Sequence, residues 1–489
     1  MLFNSFEFII FLPLVFLLYW FVFTGRKSQN ALILVASYVF YGWWDWRFLL
    51  LIMLTSVSSF ASGLLIEHYE GRRARQKAAS AANIVLNLGV LGVFKYYNFF
   101  ATSLQQLFAC LNMSLDVVTL QIVLPVGISF YTFQALSYSI DVYQKKLPAT
   151  RNLTEFMAYI SFFPQLVAGP IERATNLLPQ FQRDRRFDYA KAVDGARQML
   201  WGFLKKVVMA DNCAMVVNEY WEQYDVLPGL SLIGIAILFS LQIYFDFSGY
   251  SDIAIGCARL FGIHLMRNFD FPYFSRSIPE FWRKWHISLT SWFRDYIYFP
   301  LGGSRVSKAK TIRNIFIVWS VSGLWHGANW TFVCWGVFHA FLLSAYIILG
   351  INTKYSQPVA YGRWLPNGKE VLQMLLTFTL AVIGWILFRA TSLDQAFDYM
   401  RHIAVNPFTG NEMHGLAMTG SLLDISRWML WSAVFLAIEW MQRDKQHALQ
   451  TEGKGLFKYA ACRYLTYAAI LTLIFFFAGK VQTFIYFQF

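Results

Sequence analysis

Long apolar runs separated by short basic loops give this chain its pattern. A bilayer-spanning helix takes roughly 17 to 25 mostly apolar residues. Runs near that length, about twelve in all, cover residues 8–23, 31–44, 48–66, 82–100, 122–142, 230–245, 253–265, 312–324, 330–349, 371–388, 428–440 and 465–478. The pattern predicts an all-α, polytopic integral membrane protein with about 11 to 12 transmembrane helices. Two stretches break the rule. Residues 156–170 are apolar but only about half a span long, which predicts a re-entrant segment buried in protein, because lipid cannot satisfy free backbone N–H and C=O groups. Residues 189–210 read as a helix, yet Lys205 and Lys206 interrupt its apolar face. A charge at mid-bilayer costs about 2.5–3.5 kcal/mol on insertion scales, so the expected form is an interfacial helix whose lysines snorkel to the headgroups.

Charge sets the expected sides. Lys and Arg favour cytoplasmic loops, which places residues 68–77, with Arg72, Arg73, Arg75 and Lys77, inside. Counting outward, residues 101–121 hold no Lys or Arg and fall outside, and Lys145, Lys146 and Arg151 return inside. The same count expects residues 246–252 as a loop facing outside, the turn at His326 at the outer end of a helical hairpin, and the tail 480–489 outside. Basic residues (Arg26, Lys27) follow the first apolar run rather than precede it, and no small-residue cleavage site is present, so that run reads as the first helix. With no internal repeat or linker, residues 1–489 read as a single membrane domain, with a core at about 120–350 and C-terminal helices at 371–489.

Composition agrees. Of 489 residues 57% are hydrophobic and 14% charged, with 48 Phe, 26 Tyr and 18 Trp, outside the range of a soluble domain. The net charge of +13 gathers in the short loops, so the partner it implies is the lipid bilayer, not nucleic acid. Cys110, Cys213, Cys257, Cys334 and Cys462 are scattered with no CxxC pair, so neither a disulfide framework nor a metal site is expected.

Two of the eight histidines stand apart. His326 lies in Trp325-His326-Gly327-Ala328-Asn329-Trp330, at a break between apolar runs. An ionisable residue at membrane depth is costly and points to function; a structural histidine bonded to a neighbouring helix is the alternative. His286 lies where Trp282, His286, Leu289 and Phe293 share one face at helical spacing. Arg283, Arg294 and Asp295 add charge there that a lipid-facing helix would not carry. The combination predicts a polar, protein-lined cavity, with Trp282, Arg283, Arg294, Asp295, Trp325 and Asn329 as candidate substrate-binding residues. A basic helix lying on anionic headgroups is the other reading. His339, alone in an apolar run, is expected to hydrogen-bond a facing helix. No HExxH, P-loop, GxSxG or dinucleotide fingerprint is present. An imidazole titrates near neutrality and can take the proton of a hydroxyl attacking a thioester. Histidine-assisted acyl transfer and transport are both open on these residues.

Several longer motifs occur in order: Met1-Leu2-Phe3-Asn4-Ser5, Pro125-Val126-Gly127-Ile128-Ser129-Phe130-Tyr131-Thr132-Phe133-Gln134, Phe163-Pro164-Gln165-Leu166-Val167-Ala168-Gly169-Pro170-Ile171, residues 246–256, and Gly323-Leu324-Trp325-His326-Gly327. Over nearly the whole chain this pattern resembles the membrane-bound O-acyltransferase (MBOAT) family, in its bacterial branch of alginate O-acetylation and cell-envelope acetylation proteins. The resemblance implies about eleven spans plus re-entrant and interfacial helices around a central tunnel. It puts the family's signature histidine at His326 and its second histidine at His286. It implies that acetyl passes from a cytoplasmic thioester donor, acetyl-CoA or an acyl-carrier protein, to an acceptor outside the bacterial inner membrane, with no tightly bound cofactor. The implied partners are a periplasmic or secreted acetyltransferase and a polysaccharide assembly complex. In the similar D-alanyl transfer system for teichoic acid, a small partner ends in an aromatic motif whose tyrosine can carry the acyl group. This chain ends Phe484-Ile485-Tyr486-Phe487-Gln488-Phe489. Tyr486 is therefore a candidate acyl relay deprotonated by His326, with an interfacial aromatic anchor as the alternative. A transporter or flippase of an acetylated lipid or glycan, and a scaffold of an export complex, are the rival functions. Alginate, cellulose, another exopolysaccharide and peptidoglycan all fit as the polymer.

Overall fold

The structure, a computed structural model, describes residues 1–351, 355, 357–408, 415–451, 455–479 and 482–485. These residues form helices joined by turns and irregular segments, with no strand among them. Seven of the helices among them are long and apolar enough to cross a membrane: Trp46–His68, Arg73–Cys110, Gly229–Leu260, Trp330–Ile348, Gly368–Arg389, Ser421–Met441 and Ala460–Phe477. Fewer helices than apolar runs reach that length. The helix in the run 122–142 begins only at Ile128, after Gly127 at φ +76°, and nearly every side chain to Tyr143 is buried. The runs 230–245 and 253–265 are one helix, Gly229–Leu260. Residues 246–252 are thus mid-helix and not the expected outward loop.

The chain divides into two compact units, Met1–Gly195 with Ala254–Met266 and Ala196–Ile253 with Arg267–Phe489. In the first, helices Leu49–His68, Arg73–Leu91 and Ile128–Tyr143 meet along a seam of small polar residues. Ser62 Oγ lies 2.9 Å from Ser139 Oγ, and Asn83 Nδ2 donates to Ser59 Oγ at 3.2 Å. Small side chains let backbones approach where water provides no drive to associate. Residues 156–170 form two short helices, Leu153–Ser161 and Phe163–Leu166, broken at Phe162 and buried. Their polar groups are met by protein: the Phe163 N–H donates to Ser37 Oγ at 3.1 Å and Gln165 Nε2 to the Tyr159 carbonyl at 3.0 Å. Re-entrant backbone requires such partners.

In the second unit the two lysines correct the interfacial reading. Lys205 and Lys206 sit on a π-helical segment, Leu204–Ala210, and both are buried. They do not snorkel. Lys205 Nζ pairs with Asp252 at 3.0 Å and Glu439 at 3.1 Å; Lys206 Nζ pairs with Asp211 at 2.8 Å and Asp246 at 2.7 Å. Tyr244 donates to the other Glu439 oxygen at 2.8 Å, and Gln198 to Asp252 at 2.7 Å. Two facing glycines make the approach possible: a Cβ on Gly202 would lie 2.6 Å from the Gly249 carbonyl oxygen.

Candidate active site

A helical hairpin carries His326. Helices Lys308–His326 and Trp330–Ile348 touch backbone to backbone, because a Cβ on Gly323 would lie 2.2 Å from the Phe332 oxygen and one on Gly336 2.2 Å from that of Trp319. Asn329 caps the second helix, accepting the Thr331 N–H at 3.0 Å and donating to the Thr391 carbonyl at 2.8 Å. His326, the last residue of the first helix, is 5% exposed. Its ring centroid lies 4.9 Å from Trp325, 4.9 Å from Trp335 and 5.3 Å from Phe388.

His286 comes from a broken helix rather than the continuous one that its spacing predicted. Helix Ile278–Lys284 stops, Trp285 is extended, and His286 adopts φ +45°, ψ +54° before Ile287–Phe293 begins. A left-handed residue with a β-carbon costs about 1–3 kcal/mol and persists only where its surroundings enforce it. Here Asn268 does so. Its carbonyl accepts the Ile287 N–H at 2.9 Å, and its Oδ1 accepts the Ser288 hydroxyl at 2.7 Å. The ring of Phe247 packs edge-on against His286 at 4.6 Å.

Despite the break, Trp282, His286, Leu289 and Phe293 all line one cavity of about 220 Å³, which His326, Trp319 and Ser322 complete from the hairpin. Trp325 stands beside both histidines, its ring centroid 6.0 Å from His286 and 4.9 Å from His326. Arg294 also lines the cavity and pairs with Asp295 at 2.9 Å. Among the candidate substrate-binding residues, Arg283, Asp295, Trp325 and Asn329 do not line it. Arg283 lines a second cavity with Glu280, Lys284 and Arg443, since adjacent helical residues face different ways. Glu280 is buried, which raises a carboxyl, but hydrogen bonds from Arg276 and the charge of Lys284 hold it below its ordinary value of 4.5. Tyr486 lies outside the described residues. His339 accepts a hydrogen bond from Trp282 Nε1 at 3.2 Å, the interhelical role expected of it.

Sequence reasoning passed over Trp319 and Ser322, although they precede His326 by seven and four residues, a spacing that shares a helix face. Asn268 and Phe247 carry no local signal, because their partner lies well away in the chain. Chemically, an imidazole in an aromatic cavity can accept a proton from an attacking hydroxyl and deliver it to a leaving thiolate.

Apolar helices fit to cross a bilayer, with two buried histidines on one cavity, define an integral membrane protein with a histidine-centred site. The chain belongs to the membrane-bound O-acyltransferase family, whose sequence profile matches residues 40–383, and it is an acyltransferase. It is 42% identical over 422 residues to the probable alginate O-acetylase AlgI of Pseudomonas aeruginosa, covering 86% of this chain and 78% of that protein. It is 33% identical to the peptidoglycan O-acetyltransferase of Helicobacter pylori, covering 82% and 79%. The teichoic acid D-alanyltransferase of Bacillus subtilis is 29% identical, over 54% of this chain and 68% of that protein.

Proposed function

We propose that this protein moves acetyl groups from a cytoplasmic thioester, acetyl-CoA, across the bacterial inner membrane for O-acetylation of an extracytoplasmic polysaccharide. The observation that carries the reading is the single cavity shared by His286 and His326. Relatives named for acetylating alginate and peptidoglycan support the acceptor class, and alginate is the first polymer to test. His326 acts as general base. It takes the phenolic proton of Tyr486, the phenolate oxygen attacks the acetyl carbonyl, and the C–S bond breaks as the thiolate recovers that proton from the imidazolium. The tyrosyl ester then discharges to a hydroxyl of a secreted acetyltransferase, which restores the phenol.

The test uses purified full-length protein in nanodiscs with labelled acetyl-CoA. His326→Ala is expected to insert normally and to lose about 10²–10⁴-fold of the transfer rate, the range of a general base. Retained transfer in that variant removes His326 from the mechanism. Tyr486→Phe keeps the ring and deletes the nucleophile; full activity there returns Tyr486 to a membrane anchor.

A further inference from the structure

Phe484 and Ile485 near the end of the chain are each only 1% exposed. Charge holds their backbone. Asp246 Oδ2 accepts the Ile485 N–H at 2.8 Å. Lys206, paired with Asp246 Oδ1 at 2.7 Å, donates to the Gln482 carbonyl at 3.3 Å. A buried ion pair adds little net stability against an apolar equivalent, but these two charges meet backbone groups that burial would otherwise strand at a cost of about 1–3 kcal/mol each. The Phe484 ring packs at 4.8 Å on Tyr250 and at 5.9 Å on Phe247, and Phe247 is the ring set edge-on against His286.

We propose that the Lys206–Asp246 pair and the Phe247–Tyr250 rings form a latch that seats residues 482–485 behind His286, making Phe484 a positioning residue for acyl transfer. The inference rests on the reading of the tail as the acyl carrier, and its test separates the two.

Hydrogen exchange on the full chain in nanodiscs reads the latch directly. Asp246→Ala and Phe484→Ala are each expected to speed exchange of the Ile485 amide by about tenfold or more, with the Gly368–Arg389 helix still protected as the report of an intact fold. Unchanged exchange in both variants overturns the proposal. Should Asp246→Ala not fold, Phe484→Ala decides alone, because it leaves every charge in place. In the transfer assay Phe484→Ala is expected to lower kcat by about tenfold or more with KM for acetyl-CoA unchanged, since only positioning is lost. Phe484→Tyr is expected to restore it. A raised KM with kcat intact, or full kcat with a freely exchanging tail, overturns the positioning role of Phe484. Tyr486→Phe is expected to keep wild-type exchange at Ile485, so a failed relay and a failed latch leave different patterns.

Discussion

Glu280 takes hydrogen bonds from Arg276 at 3.1 and 2.9 Å and pairs with Lys284 at 3.2 Å. Its folded carboxyl is held below 4.5, so the stabilisation is present above that value and is lost as pH falls through the lower folded one. Glu280→Gln is therefore expected to unfold at lower temperature than the wild type at pH 7, with the gap closing below about pH 4. Thermal unfolding in detergent across that range measures it; a gap independent of pH would mean that shape and not charge is responsible. At this scale His326 and His286 were legible because ionisable groups are rare in apolar surroundings. Lys205 and Lys206 were equally visible and were misread, because their four carboxylate partners lie up to 234 residues away in sequence and only the fold brings them together.

Helices were legible wherever apolar residues ran on, and illegible where the chain departs from a rule for a tertiary reason. The helical spacing of Trp282, His286, Leu289 and Phe293 continues through a break that Asn268 helps to hold from outside the segment. The pair Asp246 and Asp252 reads as a loop until the lysines that neutralise them are in place. The hairpin that carries His326 yields a sharper expectation. In Gly323→Ala the new carbon meets the Phe332 backbone, which cannot swing aside as a side chain can. The helices must part, at a cost of about 1–3 kcal/mol or more, and a shift of His326 on the order of 1 Å is expected to cost about 100-fold in transfer rate. Gly89→Ala, with nothing within 4 Å of the added carbon, is the matched control: it is expected to leave activity unchanged and not to lower the unfolding temperature.

For the molecule as a whole, composition alone was enough to place the chain in a membrane, whereas counting charges in loops did not reveal that residues 246–252 run through the middle of one helix. Buried acids and bases that cancel one another inside the protein are invisible to a rule about loops. Size adds a last consequence. A cavity of about 220 Å³ is smaller than the roughly 300–1,000 Å³ that drug-sized ligands occupy. An acetyl thioester end and one attacking oxygen have room there; a polymer strand does not. Under the proposed function the enzyme is blind to the sugar it serves, and the chain is an interchangeable part. Placed in a strain lacking a relative that serves a different polysaccharide, and given that strain's own secreted transferase, it is expected to restore ester content in the polymer. Failure to do so by a correctly inserted protein would put acceptor choice back inside this chain.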